Sequence, residues 1–167
     1  LDELQAKTDA ILAEKEEVAK TAAEANARIA TIKNRHGDVY SRENREEAIN
    51  ARNAEIAAVL GYTKPTENEY GWYDYYPEEK EIELPASKKG YVSENYITLG
   101  KHPNGMYSYG ISVFLGNSGT GYAPDIGDTI YDTRQEALAA AIKEIRAEIS
   151  KRADDTPAAK TYANKLF

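Results

Sequence analysis

The sequence contains no cysteine, and this absence excludes several kinds of protein. Without thiols the chain cannot form disulfides, use a thiolate nucleophile, or bind zinc or an iron–sulfur cluster through cysteine. A cysteine-free chain fits the cytoplasm, which is the location we expect. No apolar run approaches the roughly eighteen residues that a membrane-spanning helix needs, so we expect no association with a membrane.

The pattern of a secretory leader is also missing. A leader starts with basic residues and continues with an apolar segment, whereas this chain starts with Leu1-Asp2-Glu3. The lack of an initiator methionine indicates trimming or processing. The earlier presence of a leader that has been removed is therefore left open.

Only two histidines are present, and both are expected in exposed loops, His36 after a helix and His102 at a hairpin tip. A metal site needs three or four converging ligands, and no His-x-x-x-His or Glu-x-x-His spacing occurs. Ser108, Ser112 and Ser118 have no histidine partner in a recognisable arrangement, and none lies in Gly-x-Ser-x-Gly. We therefore expect no metal, no cofactor and no catalytic residue, and the protein is predicted not to be an enzyme.

A glycine-rich stretch, Gly-Asn-Ser-Gly-Thr-Gly, occupies residues 116–121. Glycines let backbone N–H groups approach an anion, but the spacing differs from that of a nucleotide-binding loop and no helix start follows it. A flexible connection between strands is favoured, and ligand binding at this stretch stays open.

Acidic residues are concentrated in one short segment. Residues 66–84 carry a charge of −6, whereas residues 1–65 carry −2 and residues 85–167 carry +1. The same segment holds five aromatic rings. Tyrosine and tryptophan are enriched at the centres of interfaces, and acidic neighbours attract a basic partner. The residues predicted to bind a basic protein partner are Glu67, Glu69, Tyr70, Trp72, Tyr73, Asp74, Tyr75, Tyr76, Glu78, Glu79, Glu81 and Glu83.

The alternative interpretation of this segment is that its rings pack against the sheet while its acids stay in water. The net charge of −7 disfavours direct binding of nucleic acid, because affinity for phosphates needs clustered lysine and arginine. A weaker candidate for phosphate contact is the group of basic residues after the first helix, which acids interrupt: Lys33, Arg35, His36, Arg42 and Arg45.

The first thirty-two residues repeat with a period of seven when Leu1 is taken as position a. Every d position is apolar, while Thr8 and Lys15 are polar a positions, a pattern typical of a moderately strong coiled coil. A second amphipathic helix is predicted at 42–60, with Ser41 as its N-cap and Gly37 and Gly61 as helix stops. Residues 22–32 are expected to pack on residues 49–60 as an antiparallel pair.

The first turns of the heptad helix extend beyond the second helix and are expected to meet another copy of the chain. The residues predicted to mediate homo-oligomerisation are Leu1, Leu4, Ile11 and Val18.

The later part of the chain alternates apolar and polar residues as strands do. Asn104-Gly105 is the strongest hairpin signal, and the odd-numbered residues from 107 to 115 are expected to face a core. Thr133 and Glu136 form a capping box ahead of an apolar stripe at 138–149 that should cover the sheet.

The predicted class is α+β: an N-terminal antiparallel helical hairpin or coiled coil at 1–61, an antiparallel sheet with one covering helix at 66–153, and a short helical tail at 154–167.

Three segments resemble the hairpin-and-helix modules of small accessory proteins encoded by phages and other mobile elements: NGMYSYGIS at 104–112, GTGYAP at 119–124 and YDTRQEAL at 131–138. The resemblance covers residues 95–150. It implies a setting, the cytoplasm of a host cell, in which small acidic inhibitors of nucleic-acid-binding machinery are common, some of them mimics of the DNA backbone.

The leading hypothesis is a non-catalytic binding protein of phage or mobile-element type that presents its acidic aromatic surface to a basic protein partner. Such a protein would inhibit host nucleic-acid-binding defence machinery. One alternative is a coiled-coil structural or scaffolding component. Another is a small-ligand binding protein or enzyme with a tyrosine-lined pocket near residues 116–121.

Overall fold

The computed structural model describes residues 3–4, 18–84, 95–114 and 119–153. The helices are α1 (Ala22–His36), α2 (Arg45–Val59) and α3 (Arg134–Ala153). The strands are β1 (Thr66–Glu67), β2 (Tyr73–Asp74), β3 (Glu78–Glu83), β4 (Tyr96–Lys101), β5 (Tyr107–Phe114) and β6 (Gly119–Tyr122). They form a two-stranded and a four-stranded antiparallel sheet. The predicted α+β class is confirmed.

Helix α1 begins later than the heptad pattern predicts, because residues 18–21 are not helical. The hydroxyl of Thr21 accepts a hydrogen bond from the backbone N–H of Glu24 at 3.1 Å, which caps the helix. Just before this cap, the backbone N–H of Ala19 donates to the carbonyl of Val59 at 2.9 Å and draws the chain across the end of α2. The prediction of one uninterrupted helix is therefore wrong at this point.

Helix α2 begins at Arg45, three residues after the predicted start. The side chain expected to cap it, Ser41, instead donates its hydroxyl to the carboxylate of Asp38 at 2.9 Å. The other carboxylate oxygen of Asp38 accepts from the backbone N–H of Tyr40 at 3.2 Å. Asp38 therefore organises a local turn that delays the helix, and the Ser41 cap is a wrong prediction.

Helices α1 and α2 pack as a pair, with the start of α1 beside the end of α2. Their shared core contains most of the residues that the pattern places at this contact: Ala22, Ala25, Ile29, Ile32, Ile56, Ala57, Val59 and Leu60. Ile49 differs, because it joins a smaller cluster with Val39 and Ala48. The predicted stops are confirmed, since Gly37 and Gly61 follow the helices with φ of 68° and 88°.

The core of the helical pair also takes side chains from the second half of the chain, Met106, Ile126 and Ile130. Polar side chains also hold this contact, among them Asp132, whose carboxylate accepts from the backbone N–H of Ala22 at 2.7 Å. The amide of Asn26 on α1 donates to the carbonyl of Ile130 at 2.9 Å and accepts from the backbone N–H of Ile130 at 2.8 Å. The helical pair and the region before α3 are therefore joined by both apolar packing and paired hydrogen bonds.

The four-stranded sheet has the order β3-β4-β5-β6, with β4 and β5 in the centre. The predicted hairpin at Asn104-Gly105 joins the central strands, and Gly105 has φ of 85°. Helix α3 lies on one face of the sheet. Its buried residues Ala137, Ala141, Ile145 and Ile149 form a core with Ile97, Leu99, Ile111 and Val113. The capping box is confirmed on its N-terminal side, because Thr133 Oγ1 accepts from the backbone N–H of Glu136 at 3.2 Å.

The opposite face of the sheet is built from small residues at its centre. A Cβ atom at Gly100 would lie 3.0 Å from side-chain carbons of Pro77 and Pro124, so a side chain there would press against these two prolines. Ser108 is fully buried on the same face. The sheet is thus covered on both sides near its centre, and Pro77 ties the acidic segment to it.

The predicted domains at 1–61 and 66–153 share the core around Met106 and Ile130, and their division into two units stays a prediction. The predicted tail at 154–167 lies outside the described residues. Among the described helices, none combines the length and the apolar character needed to cross a bilayer.

Replacing Asn26 with alanine should destabilise the protein, because the change leaves the backbone N–H and carbonyl of the buried Ile130 without partners. The expected loss in the free energy of unfolding is about 1–3 kcal/mol per unsatisfied buried group, measured by urea denaturation. Asn34→Ala, at an exposed position on the same helix, is the matched control and should change stability little. Equal effects of the two substitutions would contradict a structural role for the Asn26 contact.

Candidate functional site: an acidic aromatic surface

The acidic segment begins with a short hairpin, β1 and β2, whose turn is organised by Asn68. The side-chain oxygen of Asn68 accepts from the backbone N–H groups of Tyr70 at 2.9 Å and Trp72 at 3.1 Å. Its side-chain nitrogen donates to the carboxylate of Asp74 at 2.9 Å. Gly71 has φ of 80°, a conformation that side chains disfavour. These contacts hold the loop that displays the aromatic rings.

Helix α2 fixes this hairpin in place through the amide of Asn50. The amide nitrogen donates to the carbonyl of Gly71 at 3.1 Å, and the amide oxygen accepts from the backbone N–H of Tyr73 at 2.8 Å. Trp72 packs, half-buried, against the cluster that contains Ile49. The hairpin therefore sits on a helix and forms a rigid platform.

The five rings of the segment divide into two groups. Tyr70, Tyr73 and Tyr76 are exposed, with 70%, 36% and 66% of their surface in water. Trp72 and Tyr75 are half-buried, and Tyr75 packs edge-to-face against Tyr62 with ring centroids 5.6 Å apart. Each interpretation of the sequence therefore describes part of the segment. Two rings pack against the rest of the protein, and three stay accessible to a partner.

The acids lie beside these exposed rings. Glu67 and Glu69 flank the hairpin turn, and Glu78, Glu79, Glu81 and Glu83 follow along β3, an edge strand of the sheet; all six are exposed. Asp74 is half-buried and accepts a hydrogen bond from the hydroxyl of Tyr76 at 3.1 Å, which raises the pKa of that tyrosine. Within the described parts of the chain, no basic group lies within 4.0 Å of any of these seven carboxylates.

A cleft of about 570 Å³ extends this surface toward the start of α2. Tyr70 and Trp72 line one side of the cleft, and Glu43, Glu46 and Glu47 line the other together with Arg45. From the sequence, these three glutamates count only among the acids that interrupt the basic residues after the first helix, because nothing in the sequence places Tyr70 and Trp72 beside them. The acidic aromatic surface, defined here as residues 66–83 with this cleft, is therefore larger than predicted.

Four of the five basic residues considered for phosphate contact, Lys33, Arg35, His36 and Arg42, contact other groups of the chain. Arg35 and His36 both contact the carboxylate of Glu55. Burial raises the pKa of Glu55, but the hydrogen bonds from His36 and Arg35 outweigh it and lower the pKa. The ammonium of Lys33 donates to the carbonyl of Gly127 at 2.6 Å. Glu55 therefore offsets part of the positive charge of this region, and the contact with Gly127 occupies Lys33 without neutralising it.

Two of the four residues predicted for homo-oligomerisation are among the residues that the structure describes. Leu1 and Ile11 lie outside the described residues, whereas Leu4 and Val18 are exposed at 69% and 37%. The coiled coil and the oligomer stay predictions.

The glycine-rich stretch is also partly outside the described residues, and its second half forms β6, which pairs with β5.

His102 is buried, so its predicted place in an exposed loop is wrong. Its Nδ1 lies 2.7 Å from the hydroxyl of Tyr62, and its Nε2 lies 2.9 Å from the hydroxyl of Ser108. The prediction that Ser108 has no histidine partner is wrong as well. Since Ser108 is fully buried, no substrate reaches its oxygen, and the arrangement holds the sheet to Tyr62 rather than activating a nucleophile.

The burial of His102 should make the protein sensitive to acid. Burial lowers the pKa of His102 to about 4, whereas an unfolded histidine titrates near pH 6.5. Between these values the unfolded state binds more protons than the folded state, so stability falls as the pH falls, by about 3 kcal/mol in total. Urea denaturation between pH 7 and pH 4 measures this loss.

His102→Gln keeps a polar side chain without this titration, so its stability should depend less on pH over the same range. An equally steep dependence in the variant would assign the acid sensitivity to other groups.

Comparison of the chain with protein-family models, with curated proteins and with solved structures finds no match.

Proposed function

We propose that the protein is a non-catalytic binding protein whose acidic aromatic surface captures a basic protein partner. One observation carries the proposal: six exposed carboxylates without a cation nearby in the described chain lie beside three exposed tyrosine rings. Unpaired carboxylates attract lysine and arginine side chains over a distance, and the rings supply contact area once the partner arrives.

The rigidity of the surface supports the proposal further. Asn50 and Asn68 fix the hairpin that carries Tyr70 and Tyr73, and Pro77 fixes the start of β3. A preformed surface loses little conformational entropy on binding, so more of the contact energy contributes to affinity. The proposal does not depend on a catalytic residue or a cofactor.

The finer identity of the partner rests on the resemblance of residues 95–150 to phage and mobile-element modules. On that hypothesis the protein acts in the cytoplasm of a host cell and blocks a basic, nucleic-acid-binding defence protein. Self-association through the heptad residues would present several copies of the acidic aromatic surface at once and raise the avidity for such a partner.

Reversing Glu78, Glu79, Glu81 and Glu83 to lysine should abolish partner capture. Electrostatic attraction of this kind changes association rates by about 10- to 1,000-fold, and salt screens it. The measurement is a pull-down from host-cell lysate at low and high salt, with captured proteins identified by mass spectrometry and the mass of the protein in solution determined by light scattering. Basic proteins should be enriched by the natural chain at low salt and be lost with the variant.

Glu→Asp at the same four positions is the matched control, because it keeps every charge. Circular dichroism checks that both variants keep their helices. Capture that survives charge reversal and high salt would remove the electrostatic proposal and favour the scaffolding alternative.

The exposed rings provide a second, independent test. Tyr70→Ala combined with Tyr76→Ala should weaken capture by roughly tenfold or more, the usual cost of removing aromatic anchors from an interface. Tyr40→Ala is the control, because Tyr40 is similarly exposed, at 62%, but lies outside the acidic aromatic surface. Equal losses from Tyr40 and from the Tyr70 and Tyr76 pair would show that the rings of the surface have no special role.

A further inference from the structure

A second site lies at the other edge of the four-stranded sheet, away from β3. It is a pocket of about 250 Å³ lined by Tyr109 on β5, Tyr122 on β6, Glu144 on α3, and Asp128, Thr129 and Tyr131 on the loop between them. We name it the tyrosine pocket. The rings of Tyr109 and Tyr131 lie with centroids 5.9 Å apart and planes tilted by 36°. Two strands, one loop and one helix thus bring three phenol rings and two carboxylates together.

Hydrogen bonds hold the acidic side of the tyrosine pocket in position. The hydroxyl of Tyr122 donates to the carboxylate of Glu144. The carboxylate of Asp128 accepts from the backbone N–H of Asp125 at 2.8 Å. Among the described residues, neither Asp128 nor Glu144 has a salt bridge. The carboxylates are therefore fixed by neutral donors. The ammonium of Lys33, which donates to the neighbouring carbonyl of Gly127, acts on Asp128 only from beyond salt-bridge distance.

Burial and neighbouring carboxylates both shift the pKa values of groups in the tyrosine pocket. Burial, with smaller contributions from Asp125 and Glu144, raises the pKa of Asp128, although Lys33 and the backbone of Asp125 act in the opposite direction. Burial and the neighbouring Glu144 raise the pKa values of Tyr109 and Tyr122. Burial opposes a charge of either sign at the site, whereas the repulsion from Asp125 and Glu144 acts on negative charge alone, so these two carboxylates favour a bound cation.

We propose that the tyrosine pocket binds the head group of a small organic ammonium ion, against the rings of Tyr109 and Tyr131 and the carboxylate of Glu144. Aromatic rings attract ammonium groups through their electron-rich faces, and groups of such rings are the known means of holding quaternary ammonium ions. A carboxylate beside the rings adds charge attraction in a partly dry place.

The size and lining of the tyrosine pocket limit the class of ligand. Its volume is below the roughly 300–1,000 Å³ of pockets for drug-sized ligands, so it fits a head group and not a large molecule. Among the described residues, no group of three histidine or carboxylate side chains is placed to hold a metal ion. An ammonium head group comes either from a free amine or from the side chain of a lysine on a bound protein.

The experiment titrates the full chain with choline and with n-butylammonium, which reproduces the end of a lysine side chain, and follows the tyrosine ring resonances by NMR. We expect saturable shifts of the Tyr109, Tyr122 and Tyr131 rings. Glu144→Gln and Tyr131→Leu should each weaken binding by roughly tenfold. Tighter binding of choline would point to a free quaternary amine, and tighter binding of n-butylammonium to a lysine side chain.

Two controls make the result decisive. Glu136→Gln removes an exposed carboxylate from the same helix and should leave the affinity unchanged. The uncharged analogue of choline, 3,3-dimethylbutan-1-ol, has the same shape and should bind at least roughly tenfold more weakly. Equal binding of choline and the alcohol, or no saturable shift with either ammonium ion, would overturn the proposal. Because β3 lies at the opposite edge of the sheet, the four-lysine variant of β3 should bind choline normally.

Discussion

The side chain of Asn26 uses both of its polar atoms to connect the two halves of the molecule, and the carboxylate of Asp132 adds to this connection by accepting from the backbone N–H of Ala22 at 2.7 Å. Asparagine has a poor propensity for the middle of a helix, so its position in α1 is explained by the two hydrogen bonds to Ile130. These bonds satisfy a buried backbone that has no strand partner at that residue, and they let Ile126 and Ile130 enter the core of the helical pair. The same loop carries Asp128 and Tyr131, so the shape of the tyrosine pocket depends on a contact made by a distant helix.

The acidic aromatic surface concentrates like charges, and its position explains why the fold tolerates them. The glutamates lie on an edge strand and a hairpin in contact with water, where repulsion between neighbours is weakened by the solvent. Charges on an edge strand also hinder pairing with the strands of other molecules. The same carboxylates can therefore keep the sheet from aggregating and attract a chain of opposite charge. One strand can have both properties, because each depends on exposed negative charge.

Local signals and apolar patterns predicted the elements and the packing of α1 on α2 and of α3 on the sheet, whereas contacts of single polar side chains with distant residues were missed. The Asn104-Gly105 hairpin, the Thr133 cap and the stripe of α3 follow from neighbours in sequence and are present. The start of α1 was available from Thr21 and Glu24, a second Thr-x-x-Glu cap that the heptad pattern obscured. The burial of His102 depends on Tyr62, forty residues away, and the tyrosine pocket on three separate elements. The periodicity of a sequence carries no information about such contacts. Neither the tyrosine pocket nor the burial of His102 could therefore be predicted from it.

The position of Trp72 has a practical consequence. It is the only tryptophan in the chain, and it lies half-buried where the acidic hairpin meets the cluster of Val39, Ala48 and Ile49. Fluorescence excited at the red edge of aromatic absorption comes from tryptophan and not from the thirteen tyrosines. The emission of the natural chain therefore reports on this one junction without any attached dye. A shift of the emission wavelength that precedes the loss of the helical circular-dichroism signal indicates local detachment of the hairpin, whereas coincident changes indicate melting of the whole fold.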